Sequence, residues 1–328
     1  MKITVLLAAV LISSVAASTA LAQTRPTSSR QAYPVKPMRL ISPFAPGGGT
    51  DILARGIATP ISEVFGQPVV VDNRPGAGGV TGAELVARSA PDGYTICVVS
   101  SSYAVTSAYS NISFDPIDGI QPIILLGTTG LVMSVHPSIP VKTVKELIDY
   151  AKTNPSKLNY ASVGTGSVVH LGMELFKLET GTNFVHVPYK GGGPALLAVV
   201  AGEVQLTMIS IVPSLPHQKA GRLRALAIST PKRSSLLPDV PAIRETVPGV
   251  EIIHWYGMWG PKGMPKAIVE RWNKEVARLL HTDEMKARTK AEGMDPAGGP
   301  PQEFGDVIRR DVEKWRRVIS EGKIKREG

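Results

Sequence analysis

The sequence predicts an α/β protein of two lobes, built on parallel strands, with a ligand cleft between the lobes. Three observations carry that prediction. Short apolar runs alternate with helical periods over residues 38–99, the alternation returns over 158–228, and glycine-rich segments join strand to helix in both sets.

Residues 38–42 (MRLIS) are an apolar run of strand length. Over 50–65, Leu53, Ile57, Ile61 and Val64 recur at helical spacing, and 68–71 reads as the next strand. Pro60 falls inside that helical pattern, where its ring crowds the Gly56 carbonyl and removes a hydrogen bond, so a kink or break is expected between 56 and 60. A helix over 79–90 and a strand over 94–99 complete the first set. In the second set, strands are expected at 158–161, 184–187, 204–209 and 223–228. Helices fit 168–180, through Val168, Leu171, Leu175 and Leu178, and 194–201, through Leu196, Val199 and Val200. Turn-rich stretches at 109–119 and 238–249 border this set. Long amphipathic helices follow at 265–280, with Pro265 suited to the first turn, and at 302–321.

With 328 residues the chain suggests about two domains. At 43% hydrophobic and 19% charged residues it is not intrinsically disordered. The single Cys97 excludes an intramolecular disulfide and paired-cysteine zinc sites, and its place in the apolar strand 94–99 argues for burial. The formal net charge is +9, but many Lys and Arg residues lie near the end of the chain, interspersed with Asp and Glu on helices. That is a solvated helical face, and no nucleic-acid module accompanies it.

The chain opens with Lys2, an apolar stretch over 3–17 and Ala20-Leu21-Ala22 before Gln23, the order of a secretory signal with an A-x-A cleavage site. Cleavage after Ala22 leaves 306 residues with net charge +8. Residues 23–34 then read as a flexible leader, and the mature protein as a soluble one outside the cytoplasm.

The segment 42–51 (SPFAPGGGTD) sits between a strand and a helix. Its glycines allow close backbone approach, and the helix start leaves unpaired N–H groups that suit an anion, above all a carboxylate. An ordinary turn capped by Thr50, with Asp51 in the first helical turn, is the alternative. Nucleotide fingerprints fail: Ile52 stands where a dinucleotide motif from Gly47 needs glycine, and there is no P-loop. A second loop of the same kind, 159–167, carries Gly164 and Gly166 with Ser162, Thr165 and Ser167. A third, 188–194, carries Tyr189 and Lys190.

A serine-hydrolase reading through Ser162 or Ser167 needs G-x-S-x-G, and the first glycine is missing around Ser162. His170 lies eight residues beyond Ser162. The six histidines show no H-x-x-x-H or H-E-x-x-H spacing. No catalytic residue, metal or cofactor is expected.

Seven collinear segments carry a resemblance: PFAPGGGTD (43–51), VVDNRPGAGG (70–79), APDGYT (90–95), NYASVGTGSVVHLGMELF (159–176), VPYKGGGPALLAVVAG (187–202), LPDVPA (237–242) and HWYGMWGPKGMP (254–265). Over nearly the whole mature chain the sequence resembles the Bug-type periplasmic solute receptors of tripartite tricarboxylate transporters. The resemblance implies a type II-like periplasmic binding protein, a monomer that captures a small di-, tri- or aromatic carboxylate and hands it to the membrane permease subunits of the transporter, without enzymatic activity. A sensory receptor for another membrane partner is the alternative the sequence does not separate. The lobes are expected at 35–128 with 254–328, and at 129–253. Phe44, Gly48, Thr50, Asp51, Ser162, Thr165, Gly166 and Ser167 are the expected ligand contacts. Tyr189, Tyr103, Val80 and Gln205 are expected to shape the rest of the pocket. Val80 and Gln205 depart from the Asn and Asp common in the family, which favours an apolar or aromatic carboxylate over an amino-bearing one.

Overall fold

The computed structural model describes residues 33–324 other than 45, 48, 190 and 292. The proposed signal over 1–22 therefore lies outside the described residues, as does most of the leader. In chain order the elements are β1 (Met38–Ser42), α1 (Gly49–Phe65), β2 (Val69–Asn73), α2 (Val80–Ala87), β3 (Thr95–Ser100), α3 (Ser102–Tyr109), β4 (Ile120–Thr129), β5 (Leu131–Val135) and α4 (Val144–Thr153). There follow β6 (Asn159–Ser162), α5 (Val168–Thr180), β7 (Val185–Pro188), α6 (Gly192–Val200), β8 (Leu206–Ser210), α7 (Ile211–Lys219) and β9 (Arg224–Ile228). The last five are β10 (His254–Pro261), α8 (Lys266–Leu280), α9 (Asp283–Ala291), β11 (Asp295–Gly298) and α10 (Pro301–Glu321).

The strands form two sheets. The first has the order β11-β4-β10-β3-β1-β2 and the second β7-β6-β8-β5-β9. Each contains a run of three mutually parallel strands, β3-β1-β2 and β7-β6-β8, to which antiparallel strands are added. Parallel strands need helical crossovers, so each run brings several strand-to-helix turns to the carboxyl ends of its strands. These turns build the site.

Helix α1 runs through Pro60 without the expected break. Leu53, Ile57 and Ile61 on its inner face are almost fully buried. At about 1.5–3 kcal/mol per buried side chain they outweigh the roughly 3 kcal/mol an interior proline costs. Pro265 precedes α8 as its N-cap residue and does not enter its first turn. The helix expected over 79–90 is a short 3₁₀ turn followed by α2, which ends at Ala87.

The core contains Trp255, Trp259, Trp315 and Phe304, all essentially inaccessible. The Trp255 ring meets Phe304 edge-on at 5.3 Å, and its Nε1 donates to Asp311 Oδ2 at 2.6 Å. Any side chain at Gly257 would overlap the Phe304 ring, so a glycine in the middle of β10 is a packing requirement. Cys97 is buried in β3, as its apolar setting suggests, and burial pushes its thiol pKa well up. It is not a reactive thiol.

The chain passes between the sheets twice, from β4 to β5 through Gly130 and from β9 back to β10. Ser229, 1% exposed, ties the two passages together. Its Oγ accepts the Leu131 amide at 2.9 Å and donates to the Ile252 carbonyl at 2.6 Å, while its amide donates to the Leu131 carbonyl at 2.8 Å. Replacing Ser229 by Ala strands a buried donor and a buried acceptor. Urea unfolding should show a loss of about 1–3 kcal/mol for Ser229→Ala, and an unchanged midpoint would remove this clamp from the account.

Candidate functional site

Five helices begin directly behind parallel strands and present their first turns to one cavity of about 590 Å³. The first sheet contributes Gly49 and Thr50 at the start of α1, Ser100 and Ser102 around the start of α3, and Gly78 and Thr106 beside them. From the second sheet come residues 163–169 at the start of α5, Gly191, Gly192 and Gly193 at the start of α6, and Ser210 and Pro213 at the start of α7. Phe44, Leu131, Ile209, His254 and Tyr256 close the wall. Among the described residues no Asp, Glu, Lys or Arg lines it. Polarity comes from hydroxyls, one imidazole and backbone amides, and the volume is that of a small-molecule site.

The first loop is held from behind by Asp51. Its Oδ2 accepts the Gly47 amide at 2.9 Å and Arg55 Nε at 3.0 Å, and its Oδ1 accepts Asn73 Nδ2 at 2.9 Å. Asn73 Nδ2 also donates to the Phe44 carbonyl at 3.1 Å. Burial opposes ionisation of Asp51, yet the hydrogen bonds from Arg55, Gly47 and Asn73 hold its carboxyl below the usual range. At the front of the loop, Ser42 Oγ donates to Thr50 Oγ1 at 3.2 Å. Gly49 lies so close to the Tyr256 hydroxyl that a Cβ there would overlap it.

The second loop is held by a stack of rings. His170 and His186 lie face to face at 4.0 Å, and Tyr160 stacks on His186 at 4.9 Å. His170 Nδ1 accepts the Gly166 amide at 3.1 Å, while Ser162 Oγ accepts the Gly164 amide at 3.1 Å and meets His186 Nε2 at 2.6 Å. Ser167 caps α5 by accepting the His170 amide at 3.2 Å. The amides of Val168 and Val169, in the first turn, have no acceptor four residues back within the helix, and both residues line the cavity. Gly166 has φ +72°, and a side chain there would also press on the Tyr109 ring.

The structure therefore brings Phe44, Thr50, Thr165, Gly166 and Ser167 together at the cavity. Gly48 lies outside the described residues. Asp51 and Ser162 stand behind the lining and brace the loops. Tyr189 packs against the apolar cluster containing Ala161 and Leu196, with its amide on the Ser162 carbonyl. Tyr103 is buried, its hydroxyl donating to the Pro116 carbonyl at 2.8 Å and its ring against Trp259. Val80 begins α2 without lining the cavity, and the Gln205 side chain accepts the Asn159 amide at the far end of β6. Ser162 is fully buried, and its histidine partner is His186, whereas His170 serves Gly166.

Sequence reasoning missed His254 and Tyr256, although both stand in the motif 254–265. They are two apart on β10 and so share a face, while Trp255 between them enters the core. That alternation was the available signal. His254 Nδ1 lies 2.7 Å from Ser101 Oγ, and its ring meets Tyr256 edge-on at 5.0 Å.

Two α/β sheets with a cleft fed by helix starts from both define a solute-binding protein. The sequence matches the family model of the tripartite tricarboxylate transporter family receptor over residues 53–324. Protein BugT of Bordetella pertussis is 34% identical, covering 89% of this chain and 91% of its own. Among solved structures, R. palustris Rpa4515 with adipate is 36% identical with a TM-score of 0.76, covering 89% of this chain and 98% of its own. MatC from Rhodopseudomonas palustris with bound malate is 30% identical with a TM-score of 0.74, covering 88% and 100%. The chain belongs to the tripartite tricarboxylate transporter receptor family.

Burial pushes the His254 imidazole down to about 4, and burial together with the neighbouring His170 does the same to His186. His170 is also lowered, chiefly by burial. Unfolded, these groups titrate near about 6.5, so between the two values the unfolded chain binds protons the folded chain does not. Unfolding free energy should be level above about pH 7 and decline from about pH 6.5 towards 4, less steeply in His186→Gln. Stability that rises on acidification through that window would contradict the assignment.

Proposed function

We propose that this protein is the receptor of a tripartite transporter that captures a small organic carboxylate in the cleft and delivers it to the membrane permease subunits. The observation that carries the reading is the convergence of five helix starts on one cavity lined by neutral groups. Their combined partial positive charge favours an anion, and their unpaired amides suit carboxylate oxygens. Family membership supports it, as do relatives solved with adipate and malate.

In this reading Phe44, Thr50, Thr165, Gly166 and Ser167 touch the ligand, together with Gly49 and the Val168 and Val169 amides, while Asp51 and Ser162 hold the loops. The lobes 35–128 with 254–328, and 129–253, close on the ligand about the paired passages at Gly130 and Ser229, because the closed state alone gives the ligand donors from both. The protein works as a periplasmic monomer without catalytic activity. Ser162 has no access to the cavity, which supports binding without turnover. Mass spectrometry of the exported protein should place its N-terminus at Gln23.

A thermal-shift screen of mono-, di- and tricarboxylates tests the reading. A ligand at about 100 times its dissociation constant adds roughly 2.7 kcal/mol and raises Tm by several degrees. Shifts with a neutral sugar or a cation and none with any carboxylate would overturn the reading. Gly49→Ala, which displaces the Tyr256 hydroxyl, should weaken the best ligand by about tenfold or more, while the ligand-free Tm stays within about 2 °C. Unchanged affinity would place the ligand away from α1.

A further inference from the structure

His254 sits where β10 meets the passage between the sheets, paired with Thr129, and lines the cavity beside Tyr256. Its proton can be located from its neighbour. Ser101 is completely buried, and among the described residues the recorded partner of its hydroxyl is His254 Nδ1, at 2.7 Å. The Ser101 backbone is already engaged: its amide donates to the Trp255 carbonyl, and its carbonyl accepts the Ala104 and Val105 amides. A buried hydroxyl must place its hydrogen, and Nδ1 is the acceptor in reach, so Ser101 donates and the imidazole carries its own hydrogen on Nε2. Nε2 is the opposite edge of a ring whose Nδ1 edge faces Ser101. Among the described residues Nε2 has no partner, and the ring is half-buried and lines the cavity, which leaves that nitrogen facing it.

We propose that His254 is a specificity-determining residue that donates Nε2–H to a second acceptor on the ligand, selecting carboxylates that also bear a carbonyl, hydroxyl or second carboxylate. The inference rests on the carboxylate reading above and extends it to the other end of the ligand. Leu131, Ile209 and Pro213 line the same cavity and offer the ligand body apolar contact, so His254 and the hydroxyls are the groups that read polarity there. The ring stays neutral because burial disfavours its cation, and Asp311, the acid whose charge acts on it, is occupied by Trp255 Nε1 and Lys314. A neutral ring whose one open nitrogen is a donor gives an ammonium group no acceptor, so amino-bearing ligands gain nothing from this residue.

The test is calorimetry on the full mature protein with three matched pairs: succinate and butyrate, adipate and hexanoate, 4-hydroxybenzoate and 4-methylbenzoate. The unsubstituted protein should bind the acceptor-bearing member of at least one pair about tenfold tighter or more. His254→Phe should erase that preference while retaining affinity for the other member, and His254→Gln, which keeps an N–H donor, should restore part of it. Equal affinity within every pair, or a preference that survives His254→Phe, overturns the proposal while leaving the carboxylate reading intact. Failure to bind any of the six overturns the proposal, and the carboxylate reading falls with it if the thermal-shift screen finds no carboxylate either. Should the variants not fold, ¹⁵N-histidine spectra of the unsubstituted protein decide: a hydrogen on Nε2 of His254 is expected, and one on Nδ1 contradicts the proposal.

Discussion

A helix that starts directly behind a strand cannot satisfy its first amides from within, and this one constraint organises the molecule. The parallel runs β3-β1-β2 and β7-β6-β8 force the chain into such starts, and five of them border a single cavity. Each carries roughly half a positive charge at its end. An anion there needs no cationic side chain, which is consistent with a described lining of glycines, hydroxyls and apolar residues. Glycine at 49, 164, 166 and 191–193 lets the amides approach a ligand closely, and the hydroxyls of Thr50, Ser102, Thr165 and Ser167 extend the donor set.

Amides aimed at a cavity have value only if their loops hold still. Two different devices do this, and both use side chains behind the lining. On the first loop a buried carboxylate gathers Gly47, Arg55 and Asn73. On the second, neutral acceptors do the same work: His170 for the Gly166 amide and Ser162 for the Gly164 amide. Burial, which lowers the imidazole pKa values of His170 and His186, suits that arrangement, since a protonated Nδ1 on His170 could no longer accept from Gly166. Ser229 performs a third holding task by coupling the two passages between the sheets.

The parts of the fold visible in the sequence were those with a local period: β1, α1, α5, α8 and the loops between strand and helix. Strands β4, β5 and β10 escaped because they are defined by partners far along the chain, as β10 is by β3 and β4. Half of the site was legible for the same reason. Glycines and hydroxyls in a strand-to-helix loop announce a helix start, whereas His254 and Tyr256 reach the cavity only through antiparallel pairing across about 130 to 160 residues of sequence, which no window of residues contains. Tyr103 and Gln205 show the converse. Their chemistry suits a pocket, but the fold places the Tyr103 hydroxyl on the Pro116 carbonyl and the Gln205 amide on the start of β6. Pro60 was read correctly as a local conflict and was overruled by the buried stripe of Leu53, Ile57 and Ile61.

The central claim is that backbone amides at helix starts from both sheets hold the carboxylate. A crystal structure of the complex with the tightest-binding carboxylate tests it most directly. The account predicts carboxylate oxygens within about 2.7–3.2 Å of first-turn amides, with at least one contact from α1 or α3 and one from α5, α6 or α7. A carboxylate held by an Arg or Lys side chain away from these helix starts would contradict it.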